Sequence, residues 1–286
     1  MKKILLSLVF ASIVFNGYAV NYYSQATGNL ENTTVWGTLT TGFGTPPVNF
    51  TTPGDVFFIR NRTTAAIGSG WTVSGAGSKI VLGDPTLAAI SFSIGGSANL
   101  TTSGGAVIEI PNALTGSNTL TINQSTVPGF GPLGTGSTVD FVGPAVVPNL
   151  TYGNLTISGN KSLAITGATA IMGTLTITNG TRFTMPSGAS FSTTTIGATA
   201  PLGGTGILEI SNNNLAPVPT GVTYNFNVEY NSTAVQNIMA GTYNQDLAIS
   251  GARGATNVTC QSGGTFTLNN NFIYTATFGT GAFIPN

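Results

Sequence analysis

Acidic side chains one strand apart are the residues of this chain best placed to do chemistry. Glu209 and Glu229 sit in similar settings, Ile-Leu-Glu-Ile and Asn-Val-Glu-Tyr, twenty residues apart. If those segments are neighbouring strands, the two carboxylates project from backbones about 4.8 Å apart. Like charges that close raise one pKa or recruit a cation. The pair is therefore a candidate calcium site. It is also a candidate for polysaccharide chemistry, since glycosidase carboxylates about 5 Å apart support retention. The bland alternative is two solvated charges with their side chains splayed apart.

Other chemistry is scarce. The chain has no histidine, which removes Ser-His-Asp and Cys-His catalysis and most zinc sites. Cys260 is the single cysteine, so no internal disulfide framework exists. It reads as a small buried apolar residue. Gly-x-Gly runs follow from the glycine content rather than from a nucleotide fingerprint. The sequons at Asn32, Asn49, Asn61, Asn99, Asn154 and Asn231 follow from Asn- and Thr-rich composition. No cofactor is expected beyond a possible calcium ion, and the enzyme reading is secondary.

The elements that would position Glu209 and Glu229 come from a repeat. Apolar–variable–apolar triplets begin at Ile80, Leu120, Val139, Leu155, Leu175, Leu208, Val228, Leu247 and Phe266, with a looser match at Leu100. Ile196 marks a further rung in the irregular stretch before Leu208. A longer repeat encloses the triplets: Val139-Asp140-Phe141 returns as Val228-Glu229-Tyr230, and Gly173-Thr174-Leu175-Thr176 as Gly264-Thr265-Phe266-Thr267. A triplet is a very short strand with its flanking residues buried. A period of about 20 residues is too short for a strand–helix–strand crossover and suits one coil of a β-helix. The expected fold is all-β, a parallel β-helix or solenoid, with tandem β-sandwich domains of about 90 residues as the alternative. In the solenoid Leu155 stacks on Leu175, and Leu208, Val228, Leu247 and Phe266 stack in turn. The outward middle positions then give a Thr column (Thr101, Thr121, Thr156, Thr176) interrupted by Asp140. Such a column admits an ice-binding reading as well as the plain one, Thr as a good strand residue.

Composition agrees with short strands and tight turns. Thirty-nine glycines and a 41% hydrophobic fraction accompany only 8 basic and 8 acidic residues. Such a chain cannot form a basic patch, so nucleic acid is not an expected partner.

Met1-Lys2-Lys3, the apolar run from Ile4 to Phe15 and Gly17-Tyr18-Ala19 have the layout of a secretory signal, cleaved near Ala19. The run is too short for a membrane span, and no second one follows. Residues 1–19 are thus expected to be a signal peptide, 20–55 an N-terminal cap rich in aromatic and proline residues, and 56–286 the solenoid repeats. No capping signal follows the final rung. The sequence is therefore expected to be a fragment or to present an assembly edge, with end-to-end self-association as one outcome.

Tyr22-Tyr23-Ser24, Gly28-Asn29, Trp36, Pro53-Gly54-Asp55-Val56 and Trp71-Thr72-Val73 resemble the opening of repetitive exported proteins of gliding-type Gram-negative bacteria. Many of those proteins use the type IX secretion route. The stretch Val228-Glu229-Tyr230 to Gly264-Thr265-Phe266 resembles their internal repeat. The resemblance implies an extracellular or cell-surface β-solenoid, adhesin-like, acting by passive multivalent contact with a surface or glycan. It transfers no catalytic residue. A polysaccharide-binding or polysaccharide-cleaving β-helix is the alternative, and an ice-binding protein a further one.

Overall fold

The computed structural model describes residues 19–84, 86, 89–96, 98–112, 117–164, 168–191, 206–213 and 216–285. The leader-like segment up to residue 18 and the rung read at Ile196 lie outside them. The chain is a parallel β-solenoid. The described secondary structure is strands of two to four residues plus one short 3-10 turn at Thr33–Val35. No helix of the described residues is long and apolar enough to cross a membrane.

One early coil shows the plan. Val56–Ile59, Thr64–Ala65 and Trp71–Ser74 form three strands of one turn, and Lys79–Leu82 begins the next directly above Val56–Ile59. Three long sheets result. Face one joins Asn21–Ser24, Val56–Ile59, Lys79–Leu82, Val107–Ile110 and Phe130–Leu133. Face two joins Thr64–Ala65, Ser91–Ile94, Thr119–Ile122, Thr138–Phe141, Asn154–Ile157 and Leu175–Ile177. Face three runs from Val146–Val147 through Lys161–Leu163, Arg182–Met185, Ile207–Ile210, Asn227–Tyr230 and Leu247–Ile249 to Phe272–Tyr274.

Each strand alternates inward and outward residues. The inward ones stack into apolar columns: Phe92, Leu120, Val139, Leu155 and Leu175 on face two are all essentially inaccessible. On face three Phe183, Leu208, Val228 and Leu247 do the same.

The expected stacks Leu155 on Leu175, Leu208 on Val228 and Val228 on Leu247 are all present. Others are corrected. Leu247 meets Phe272, while Phe266 meets Gly241 on another sheet. Ile80 stacks between Phe57 and Ile108, and Leu100 pairs with Trp71. The physical reason is that every coil carries more than one short strand with the same apolar signature. Spacing alone does not say which face a triplet joins. Coil length also varies more than the sequence period implied, from 16 residues (Thr138 to Asn154) to 29 (Trp71 to Leu100), and 35 at the first rung (Asn21 to Val56).

Corners are held by side-chain amides that stand in for missing backbone partners. Gln124 accepts the Leu100 N–H at 2.8 Å and returns its own N–H to the Leu100 carbonyl at 2.9 Å, as a paired peptide would. Gln236 donates to the carbonyls of Ile210 and Asn212. Buried backbone groups left unpaired cost free energy, so these amides are part of the fold. Gly95 shows how tight the corners are. Its φ is +100°, and a Cβ there would lie 2.1 Å from the Gln124 nitrogen.

At the N-terminal end, Asn21–Ser24 is itself a parallel rung on Val56–Ile59. Trp36–Gly37 pairs antiparallel on its outer edge. Trp36, Phe50, Phe57 and Trp71 pack ring to ring at 5.1–6.3 Å beneath it. The buried Arg62 donates to the carbonyls of Gln25, Thr27 and Gly28, fixing the loop that leads to the Trp36 strand.

Burial by the neighbouring coils predicts a sharp contrast between adjacent residues. Leu155→Ala should cost about 2–5 kcal/mol in denaturant unfolding, the range for large-to-small core changes. The outward neighbour Thr156→Ala should cost about 0.5 kcal/mol or less.

Candidate functional site

Glu209 and Glu229 are opposite each other on adjacent rungs of face three. The cation between them is a side chain. Arg182 sits on the next rung, in register with Ile207. Its Nη1 lies 3.0 Å from Glu209 Oε2 and 2.5 Å from Glu229 Oε2. Glu209 also accepts hydrogen bonds from Thr184, Ser211 and Asn231 at 2.9–3.1 Å, and Glu229 accepts one from Ser250. Burial alone would push the Glu209 carboxyl up. The Arg182 and Thr184 hydrogen bonds and the guanidinium charge outweigh burial and hold it below the usual carboxylate range. The Arg182 guanidinium, which burial alone would lower, is held up by the same two carboxylates. Among the described residues no group of three or more His, Cys, Asp or Glu side chains is placed to hold a metal ion.

Arg182 escaped the sequence reading because its rung, Arg-Phe-Thr-Met, falls in the irregular stretch between Leu175 and Leu208. Phe183 and Met185 are the signal that would have found it: an inward pair at strand spacing.

Face two carries a different arrangement. Its outward middle column is Ser93, Thr121, Asp140, Thr156 and Thr176. The Thr101 expected there pairs instead with Thr72 on a separate two-stranded sheet. A second outward column runs alongside, Ser91, Thr119, Thr138 and Asn154. Thr174 follows it, its N–H held by Asn154 Oδ1 at 2.9 Å. Short polar groups therefore repeat in two directions: along each column at the rung spacing of about 4.8 Å, and across each strand at about 6.6 Å, two residues of extended chain.

Asp140 is the one charge in the array. Burial pushes its carboxyl up, against a hydrogen bond from Ser158 and the charge of Lys161. One of its oxygens, Oδ1, is buried without a protein hydrogen-bond partner. Lys161 is itself buried and donates to the Val142 carbonyl at 2.6 Å.

Of the remaining charges, Lys79 and Glu109 pair at 2.9 Å between adjacent strands of face one, and others serve corners. Asp84 accepts from the Asn61 N–H and from the backbone and hydroxyl of Thr86, and lies 3.5 Å from Arg60. Although burial opposes ionisation, these contacts hold its pKa at about 2. Cys260 is half-buried and borders an apolar hollow at the last coil. Comparison with protein-family models, curated proteins and solved structures gives no match.

The Arg182 bridge makes a prediction with a definite sign. A carboxyl held below its ordinary pKa adds stability above that range and loses it as pH falls through the folded value. Arg182→Ala should therefore destabilise the protein by about 1–2 kcal/mol at pH 7. The gap from the parent should narrow as pH falls through the carboxylate range. Urea unfolding of both proteins from pH 7 to pH 3 measures it.

Proposed function

We propose that this chain is a secreted or cell-surface structural solenoid that adheres through face two to a repetitive extracellular polymer, of which polysaccharide is the best match. The observation that carries this reading is the pair of in-register columns of short polar side chains, one spanning five consecutive rungs with Asp140 as its single charge and the other four. Hydroxyls and amides are both donors and acceptors, as are the hydroxyls of a sugar chain. Each contact is weak. Repetition on a rigid face raises the effective concentration of every later contact once the first has formed. The export half of the reading rests on the basic and apolar N-terminus, and the surface half on the resemblance to adhesin-like exported proteins.

Polysaccharide cleavage is the second reading, favoured by the adjacent Glu209 and Glu229. Against it, both carboxylates are already engaged by Arg182 and by hydroxyl donors. An ice-binding role draws on the same Thr columns, with the Asp140 charge set in the middle of the array.

Pull-down on insoluble cellulose and chitin, together with a soluble-glycan array, tests the proposal. Retention is expected on at least one polymer, and it should weaken about tenfold or more in Thr121→Glu/Thr156→Glu while Glu209→Gln leaves it unchanged. No retention on any polymer would contradict the adhesive reading. Reducing-sugar release that Glu209→Gln abolishes would replace it with the enzymatic one. Thermal hysteresis lost in Thr121→Glu/Thr156→Glu would replace it with ice binding.

A further inference from the structure

Asp55 is a buried carboxylate one cation short. It is 2% accessible, follows the Pro53-Gly54 turn and leads into the Val56–Ile59 strand. Asp84, equally buried at 1%, shows what such a carboxylate is given elsewhere in this fold. It has the Arg60 guanidinium at 3.5 Å and donors from Asn61 and Thr86. Asp55 forms no ion pair with a Lys or Arg of the described residues. The one hydrogen bond its side chain accepts among them comes from the backbone N–H of Val20, at 3.0 Å to Oδ1. Burial pushes its carboxyl up, against that single bond. A buried charge left without a counter-charge is costly.

The nitrogen that reaches Asp55 is a particular one. Gly17 and Ala19 stand at the two small-residue positions that a signal peptidase reads. A cut after Ala19 makes Val20 the first residue of the processed chain. The structure holds that residue by both of its backbone groups. Asp55 accepts from its N–H, and the Val56 N–H donates to its carbonyl at 2.9 Å. Asn21, next along, begins the first rung. On the leader side Ala19 is exposed, over Gly54, where a Cβ would lie 3.0 Å from the Ala19 Cβ.

We infer that Asp55 is the socket for the amino terminus of the processed chain, binding the Val20 ammonium as a buried ion pair. Hydrolysis of the Ala19–Val20 peptide bond by the peptidase consumes one water. Its hydroxyl goes to the Ala19 carbonyl carbon and its hydrogen to the Val20 nitrogen. The new Ala19 carboxyl then gives up its proton, through solvent, to the Val20 amine. A neutral N–H already 3.0 Å from Asp55 thereby becomes a cation with no movement of the strand. Processing supplies the missing counter-charge and locks the first rung onto Val56–Ile59. The inference rests on the export reading, since it needs a leader that is removed. Tyr22, whose own pKa Asp55 helps to raise, faces the same carboxylate. The Lys79 ammonium, one rung up, is committed to Glu109 at 2.9 Å.

The full chain, expressed with its leader and collected after export, tests the pair. Intact mass should show Val20 as the first residue. Competitive acylation across pH, read by mass spectrometry, should place the α-amine pKa above its ordinary value of about 7.7–8.0. Asp55→Asn should return it to that range. So should a glycine inserted between Ala19 and Val20, with the new first residue confirmed by mass. The insertion moves the amine about 3.8 Å away and leaves the Val20 N–H on Asp55, so it keeps the fold even if Asp55→Asn does not. At pH 8 the parent amine should label about fivefold or more slowly than the glycine-extended one. At pH 7 the parent should also unfold at higher urea than the extended chain. That gap should close as pH rises through the raised amine pKa. A parent amine in the ordinary range, or one unmoved by the insertion, would overturn the inference with the export reading intact. A product cut at a different residue would do the same. A chain recovered with its leader uncut would overturn the export reading and the inference with it.

Discussion

A coil of this chain cannot bury its own apolar side chains, and everything else follows from that. Two to four residues per strand give too little surface for any strand to be stable alone. Stability comes when the next coil lays an equivalent strand on top, satisfying one set of backbone hydrogen bonds and covering one set of inward side chains. Parallel register is what makes this additive. Leu155 lies over Val139 and under Leu175, so each contact is shared between neighbours. With one cysteine and few charges, neither disulfides nor ion-pair networks contribute much. The amides of Gln124 and Gln236 complete the pattern where a corner leaves a backbone group without a strand partner.

That constraint also explains what the sequence revealed. The inward pairs Leu155/Ile157, Leu208/Ile210 and Val228/Tyr230 were visible because burial on a two-residue period demands apolar types at fixed spacing. Three stacks followed correctly from them. The faces were not legible, because Ile80, Leu100 and Leu120 carry one signature on three different sheets. Coil corners differ in length, so the count of residues between triplets does not identify a face. The partner that neutralises Glu209 and Glu229 was hidden for a related reason. Arg182 reaches them from the flank of its strand and across two rungs, a contact created by stacking rather than by sequence proximity.

The outward surface divides by face. Face three concentrates its charge in one bridged cluster around Arg182. Face two spreads small polar groups evenly, with Asp140 the single exception. The first arrangement is specific to one place and is internally satisfied; the second repeats and leaves hydrogen-bonding capacity toward solvent. Repetition that the core requires for stability is thereby passed to the surface as a regular array. This is the physical basis for reading the protein as a scaffold that adheres by number of contacts.

The central claim is rung-on-rung stacking in one register, and a ruler along face three tests it most directly. Nitroxide labels can be placed at Ser162 and Ala248 in a Cys260→Ser background. The two sites are linked through Thr184, Glu209 and Glu229, four rung steps in all. At about 4.8 Å per rung their backbones should lie about 19 Å apart. Double electron–electron resonance should give one narrow distribution near that value, and moving the second label from Ala248 to Glu229 should shorten it by about one rung. A broad distribution, or a distance that does not fall with the removed rung, would contradict the account.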